Sequence, residues 1–289
     1  MKRILVTGAN GQLGQVVRDL SAQYPQFQFL FTDIAELDIC DAQSVETYIS
    51  THKINWVLNC AAYTAVDRAE QEEALCDKIN HIAPAYLAHA IEKAGGRMIH
   101  ISTDYVFNGT AHIPYTEETP TAPIAVYGRT KRAGETALLE ACPAAIILRT
   151  AWLYSVYGNN FVKTMLRLGR EKTELGVIFD QIGTPTYAND LAKVMLACIV
   201  QDIPAGIYHF SNEGVCSWYD FTKEIHRQAG ITTCNVKPLH TVDYPTPAQR
   251  PHYSVLDKTK IKQTLGITIP HWTESLQECI CLLEKATTK

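Results

Sequence analysis

The nine residues Val6-Thr7-Gly8-Ala9-Asn10-Gly11-Gln12-Leu13-Gly14 decide how this chain reads. They follow a short apolar stretch, Lys2 to Thr7, that reads as a strand. They open a helical pattern, Gln12 to Tyr24, with Leu13, Val16, Val17 and Leu20 at helical spacing. Gly8 suits a tight turn, Gly11 lets backbone N–H groups approach a pyrophosphate, and Gly14 lets the helix pack close to the sheet. The helix N-terminus then faces the negative charge. Glycine spacing alone is a weak signal. Its place between strand and helix favours a dinucleotide site over an ordinary turn.

Working outward, the alternation continues. Phe27 to Thr32 reads as a second strand, and Asp41 can cap a helix running through Thr51. Asn55 to Asn59 is a third strand. Ala83 to Lys93 is a helix stopped by Gly95-Gly96, and Arg97 to Ser102 and Ala145 to Arg149 are further strands. This pattern predicts an α/β fold, a doubly wound parallel sheet covered on both faces. Residues 1–150 form the nucleotide-binding part and 151–289 a smaller α+β substrate region. Segments around 175–210 are able to return to the first part. Helices are expected at Asn189 to Val200, Tyr219 to Ala229 and Trp272 to Lys285, and Tyr244 to Pro251 (YPTPAQRP) is a proline-bounded loop.

Composition narrows the classes. The chain has 289 residues, 46% hydrophobic and 19% charged, which suits one large or two modest globular domains. Its 26 basic and 30 acidic residues give a net charge of −4, with no surplus positive charge to draw nucleic acid or an anionic membrane. No apolar run approaches the roughly 20 residues that span a bilayer. The start, MKRILVTGAN, is too short in apolar residues for a secretory leader. Nine cysteines without a CxxC pair read as reduced thiols in a cytoplasmic protein, and no metal site is expected.

Two polar positions carry the chemistry. Asp33 ends the second strand 19 residues after Gly14, where a carboxylate accepts hydrogen bonds from an adenosine ribose. No Lys or Arg lies between Asp33 and His52 to meet a 2′-phosphate. Two unit charges about 4 Å apart at an effective dielectric of 20 interact by roughly 4 kcal/mol, so NADH is expected over NADPH. Asp33 as a solvated strand end is the plain alternative. Tyr127 and Lys131 have Tyr-x-x-x-Lys spacing, which puts both on one helix face. An ammonium there favours the phenolate and eases proton donation to a carbonyl being reduced. Tyr219 and Lys223 share the spacing. Only Tyr127 follows a strand, His100 to Ser102, by one loop, and ligands of open parallel sheets bind beyond the carboxyl ends of strands.

Several longer motifs add a resemblance. TGANGQLG, NCAAYTAVD at 59–67, STDYVF at 102–107 and YGRTK at 127–131 resemble the Rossmann-type extended short-chain dehydrogenase/reductases. RTAWLY at 149–154, GNNF at 158–161, DQIGTPT at 180–186 and YPTPAQRP narrow this to a likeness with the dTDP-4-dehydrorhamnose reductases. That resemblance implies a dTDP-sugar substrate and hydride from NADH, with NADPH as the alternative. It implies Tyr127 as proton donor, Lys131 as its support on the nicotinamide ribose, and Thr103 as a partner of the reacting oxygen. The dinucleotide would contact Gly11, Gln12, Leu13, Asp33, Asp38, Ile39, Ala62, Tyr63 and Thr64. The sugar would contact Thr103, Asp104, Tyr127 and Trp152, and Arg250 is a fitting partner for substrate phosphate. Trp152 lies in an apolar stretch, so core is its plain alternative, as a solvated loop charge is for Arg250. Some family members bridge a homodimer through Mg²⁺ and a carboxylate just past the glycine turn. Here that place reads Gln15-Val16-Val17, so the metal is not carried over and a homodimer stays open.

Three other activities share parts of this pattern. A 4,6-dehydratase needs an acid directly after Thr103-Asp104, where this chain has Tyr105. A 4-epimerase would keep Tyr127 and Lys131 but hold its cofactor and oxidise none of it overall. A non-catalytic regulatory subunit would need no proton donor.

Overall fold

The computed structural model describes residues 1–287. Five strands, β1 (Lys2–Thr7), β2 (Phe27–Thr32), β3 (Trp56–Asn59), β4 (Arg97–Thr103) and β5 (Ile146–Thr150), join Gly206–His209 in one six-stranded sheet. Every pairing in it is parallel. In space β2 forms one edge, followed by β1, β3, β4, β5 and finally Gly206–His209. The order reverses direction between β1 and β3, so the glycine turn after β1 sits at the switch point, where open α/β sheets bind ligands.

Alternation along the strands builds two apolar layers. Ile4, Val6, Trp56, Leu58, Ile99, Ile146 and Leu148 face one side. There they meet Leu13, Val16, Val17 and Leu20 of helix α1 (Gln12–Leu20) and the apolar stripe of the Ala188–Val200 helix. Burying each such side chain is worth roughly 1.5–3 kcal/mol before conformational entropy is counted. Leu5, Val57, Met98 and Ile147 face the other side, against α2 (Ala42–Thr51), the Ala83–Lys93 helix and Leu138 of the Val126–Ala141 helix. β3 and β5 are buried along their whole length, as strands covered on both faces should be, whereas edge strand β2 is half exposed.

The predicted elements recur with small shifts. Helix α1 stops at Leu20 and continues to Gln23 as a 3-10 turn, so the expected helix to Tyr24 is shorter. Asp41 caps α2 by accepting from the N–H groups of Gln43 and Ser44. A third apolar cluster around Tyr154, Val162, Phe221 and Leu276 organises residues after 150. Within 175–210, the Ala188–Val200 helix and Gly206–His209 join the central sheet and its cover, while Glu174–Ile178 pairs with Asn235–Leu239 outside it. All nine cysteines are free, and six are buried. Among the described residues no helix is long and apolar enough to cross a membrane.

Candidate active site

The glycine turn makes an anion cradle. Gly8 has φ of +62°, a left-handed conformation that a side chain would strain, and a Cβ there would lie 2.7 Å from the Ala61 backbone. Gly11 occupies the N-cap position of α1 and no side chain caps the helix, in contrast to Asp41 on α2. The first N–H groups of α1 are therefore left for a ligand. Gly14 lets α1 approach the turn at the end of β1: a Cβ there would lie 2.4 Å from the Gly8 carbonyl oxygen and 2.6 Å from Ala9 Cα. These features fit a dinucleotide pyrophosphate.

A cleft of about 450 Å³ opens beside the turn, lined by Gly8, Gly11, Asp33, Asp38, Ile39 and Ala62 together with Cys40, Cys60 and Ala61. Asp33 accepts from the Asn10 N–H at 3.0 Å and the Ile34 N–H at 2.9 Å, which fixes its carboxylate at the cleft wall. The side chains of other expected contacts have protein partners, which leaves their backbone groups at the turn unchanged. The Leu13 side chain is buried in the core. Gln12 Oε1 accepts from Ser155 Oγ at 3.1 Å and Asn160 Nδ2 at 3.0 Å, tying α1 to the later half of the chain. Tyr63 is held through both backbone groups by Asn80, at 2.9 and 3.0 Å, and its hydroxyl donates to Glu72. Thr64 faces a second cleft.

That second cleft, about 890 Å³, is lined by Thr64, Asp67, Tyr105, Gln181, Trp218 and Arg250 among others. Arg250 is partly buried and paired: Nη2 lies 2.6 Å from Asp67 Oδ2 and Nη1 lies 3.3 Å from the Tyr105 hydroxyl. Tyr105 in turn packs edge-on to Tyr127, with ring centroids 5.4 Å apart. Trp152 stacks on Trp218 at 3.5 Å between centroids and has φ of +48°. A non-glycine residue held in that region stores roughly 1–3 kcal/mol of strain, of the kind that collects at functional sites.

The carboxyl end of β4 and the start of the Val126–Ala141 helix bring Thr103, Asp104, Tyr127 and Lys131 together, all buried. Thr103 Oγ1 donates to Asp104 Oδ1 at 2.9 Å and accepts from the Tyr105 N–H at 3.2 Å. Burial pushes the Tyr127 hydroxyl well above its ordinary pKa, and a hydrogen bond with Thr103 opposes that. Burial also raises the Asp104 carboxyl to about 6, against hydrogen bonds from Thr103 and Ser254. Lys131 shares the helix face of Tyr127, but its Nζ donates to the Ile101 carbonyl at 2.6 Å and lies 3.1 Å from His100 Nε2. One turn further, Glu135 receives a bidentate pair from Arg149 at 2.8 and 2.7 Å. Sequence reading missed Asn59, Asn80, His100, Glu135 and Asp67. For Glu135 a signal existed, since it continues the i, i+4 row of Tyr127 and Lys131.

A family model, the RmlD substrate binding domain, matches residues 1–284. The dTDP-4-dehydrorhamnose reductase of Aggregatibacter actinomycetemcomitans is 42% identical, over 96% of this chain and 98% of that protein. The solved dTDP-4-dehydrorhamnose reductase of Clostridium acetobutylicum superposes with a TM-score of 0.94 at 44% identity, covering 98% of this chain and 99% of that one. The same enzyme of Bacillus anthracis, solved in complex with NADP, also superposes with a TM-score of 0.94, at 39% identity, covering 98% of this chain and all of that one. With a match along nearly its whole length, the chain belongs to the RmlD substrate binding domain family.

Proposed function

We propose that the chain is a nicotinamide-dependent reductase that converts dTDP-4-dehydro-L-rhamnose to dTDP-L-rhamnose in the cytoplasm. One juxtaposition carries the reading. The uncapped N-terminus of α1 and the buried Thr103–Tyr127 pair lie at the same carboxyl edge of one parallel sheet. Its relatives at about 40% identity carry the reductase name and supply the substrate class.

A bound dihydronicotinamide supplies hydride to the C4 carbonyl. The first N–H groups of α1, with Gly8 and Gly11, hold the pyrophosphate, and Asp33 orients the adenosine ribose. The carboxylate of Asp33 favours NADH; the Bacillus anthracis relative was solved with NADP, so both forms belong in the assay. Thr103 steadies the reacting oxygen and Tyr127 gives it a proton as negative charge develops there. The high pKa of the buried Tyr127 hydroxyl keeps that proton in place until the alkoxide forms. Lys131 then stabilises the phenolate left behind. Arg250 is the cation at hand for substrate phosphate.

Deuterium transfer tests the reading. With cofactor labelled at nicotinamide C4 on either face in turn, one label should give dTDP-L-rhamnose one mass unit heavier, with the deuterium at sugar C4. Keto sugar returned unreduced with no cofactor consumed, alongside interconversion of dTDP-L-rhamnose and its C4 epimer, would instead identify an epimerase.

A further inference from the structure

A buried polar chain runs beneath the site to Lys131, and its members Thr7, Asn59 and His100 have no part in the chemistry above. Thr7 Oγ1 donates to Asn59 Oδ1 at 2.7 Å, Asn59 Nδ2 lies 2.9 Å from His100 Nδ1, and His100 Nε2 lies 3.1 Å from Lys131 Nζ. All four residues are at most 1% exposed, so their donors and acceptors must be matched within the protein.

The matching has one solution. The Ala61 backbone N–H, which can only donate, meets Asn59 Oδ1 at 3.2 Å. That fixes Oδ1 as the acceptor end of the amide and turns its NH₂ toward His100. His100 Nδ1 therefore accepts and carries no proton. Burial keeps the ring neutral, so the proton is on Nε2, facing Lys131. An ammonium has three donors and no acceptor, whereas a neutral amine has a lone pair for Nε2–H. The other contact of Lys131, the Ile101 carbonyl, is met by an amine N–H.

We propose that His100 is a positioning residue that holds Lys131 as an uncharged amine against β4, and that Lys131 acts as a cation only after leaving this contact. This rests on the role given to Lys131 above. Burial lowers Lys131 to about 8, opposed by Glu135 on its own helix and Cys76 from the Glu73–Asp77 helix, and the His100 Nε2–H contact, open only to the amine, favours the uncharged form further. The Glu135 charge is drawn toward Arg149, and from β4 the facing group is the neutral His100. Lys131 is thus held against β4 by the Ile101 carbonyl and His100.

Nitrogen-15 NMR of histidine-labelled protein, at pH 7 and without cofactor, reads the tautomer directly. The expected result is His100 protonated on Nε2; protonation on Nδ1 would overturn the proposal. Asn59→Asp supplies an acceptor to both Ala61 and the ring. It should move the proton to Nδ1 and raise the Lys131 titration, followed by carbon-13 at Lys Cε, by about one pH unit or more. An unmoved tautomer in this variant would break the proposed link. Should Lys131→Met turn over normally, the catalytic role of Lys131 falls while the tautomer result stands, so the two failures are distinguishable.

Discussion

Arg250 and Asp67 meet although 183 residues separate them, with Nη2 2.6 Å from Oδ2. The pair fastens the Tyr244–Pro251 loop to the segment after β3, at the mouth of the larger cleft. Both side chains are partly exposed, so the pair itself is worth little to stability. Its consequence is positional: a cation already oriented at the cleft where a diphosphate would lie.

Arg250→Met should therefore affect substrate more than cofactor. Losing a charge-assisted hydrogen bond costs about 1.5–3 kcal/mol, or roughly 10- to 150-fold in KM for the dTDP-sugar. Asp67→Asn, which releases the guanidinium and removes a competing carboxylate, should lower that KM. Steady-state kinetics with sugar and cofactor varied separately check both. A rise in cofactor KM alone for Arg250→Met would move Arg250 out of the substrate site.

Tyr127→Phe keeps the buried ring and removes the proton. We expect kcat to fall on the order of 10²- to 10⁴-fold with little change in thermal stability. Tyr219→Phe should leave kcat near that of the parent protein. The reverse pattern would mean that the other Tyr-x-x-x-Lys pair holds the donor.

Asp104 gives a pH signature. Its carboxyl is raised from 3.8 to about 6 by burial, so the folded state binds a proton that the unfolded state has released. The stability this confers is present below about pH 4 and is lost as pH rises through 6. Asp104→Asn removes the buried charge. The variant should gain up to about 3 kcal/mol on the parent between pH 4 and pH 7. Urea unfolding at the two pH values measures the difference. A gain that shrinks with rising pH would contradict the assignment.

Gly14→Ala tests the close approach of α1 to the turn. Its Cβ would press on the Gly8 carbonyl and Ala9, both backbone. We expect a loss of about 1–3 kcal/mol in unfolding free energy, together with weakened cofactor binding measured by calorimetry. Normal stability and affinity would show that the turn yields easily.

Much of this was legible from local pattern. Periodicity and punctuation gave strands and helices to within a few residues, because alternation in a doubly covered sheet is dense and glycine and aspartate mark its turns. The Tyr127–Lys131 face followed from spacing. What stayed hidden depends on distant partners. His100 reads as another apolar-flanked strand residue until Asn59 and Lys131 are set against it. That Ser155 and Asn160 take the Gln12 side-chain oxygen is likewise set by residues far along the chain. The return of Gly206–His209 to the sheet edge needs the whole core, since four residues carry too little pattern to name a neighbour.

The central claim, net reduction of a keto sugar nucleotide, is tested most directly by cofactor absorbance at 1:1 accounting. The purified protein is given NADH or NADPH and dTDP-4-dehydro-L-rhamnose made in situ by its dehydratase and epimerase. The account predicts one equivalent of cofactor oxidised for each dTDP-L-rhamnose formed. Folded protein that oxidises neither cofactor would contradict it.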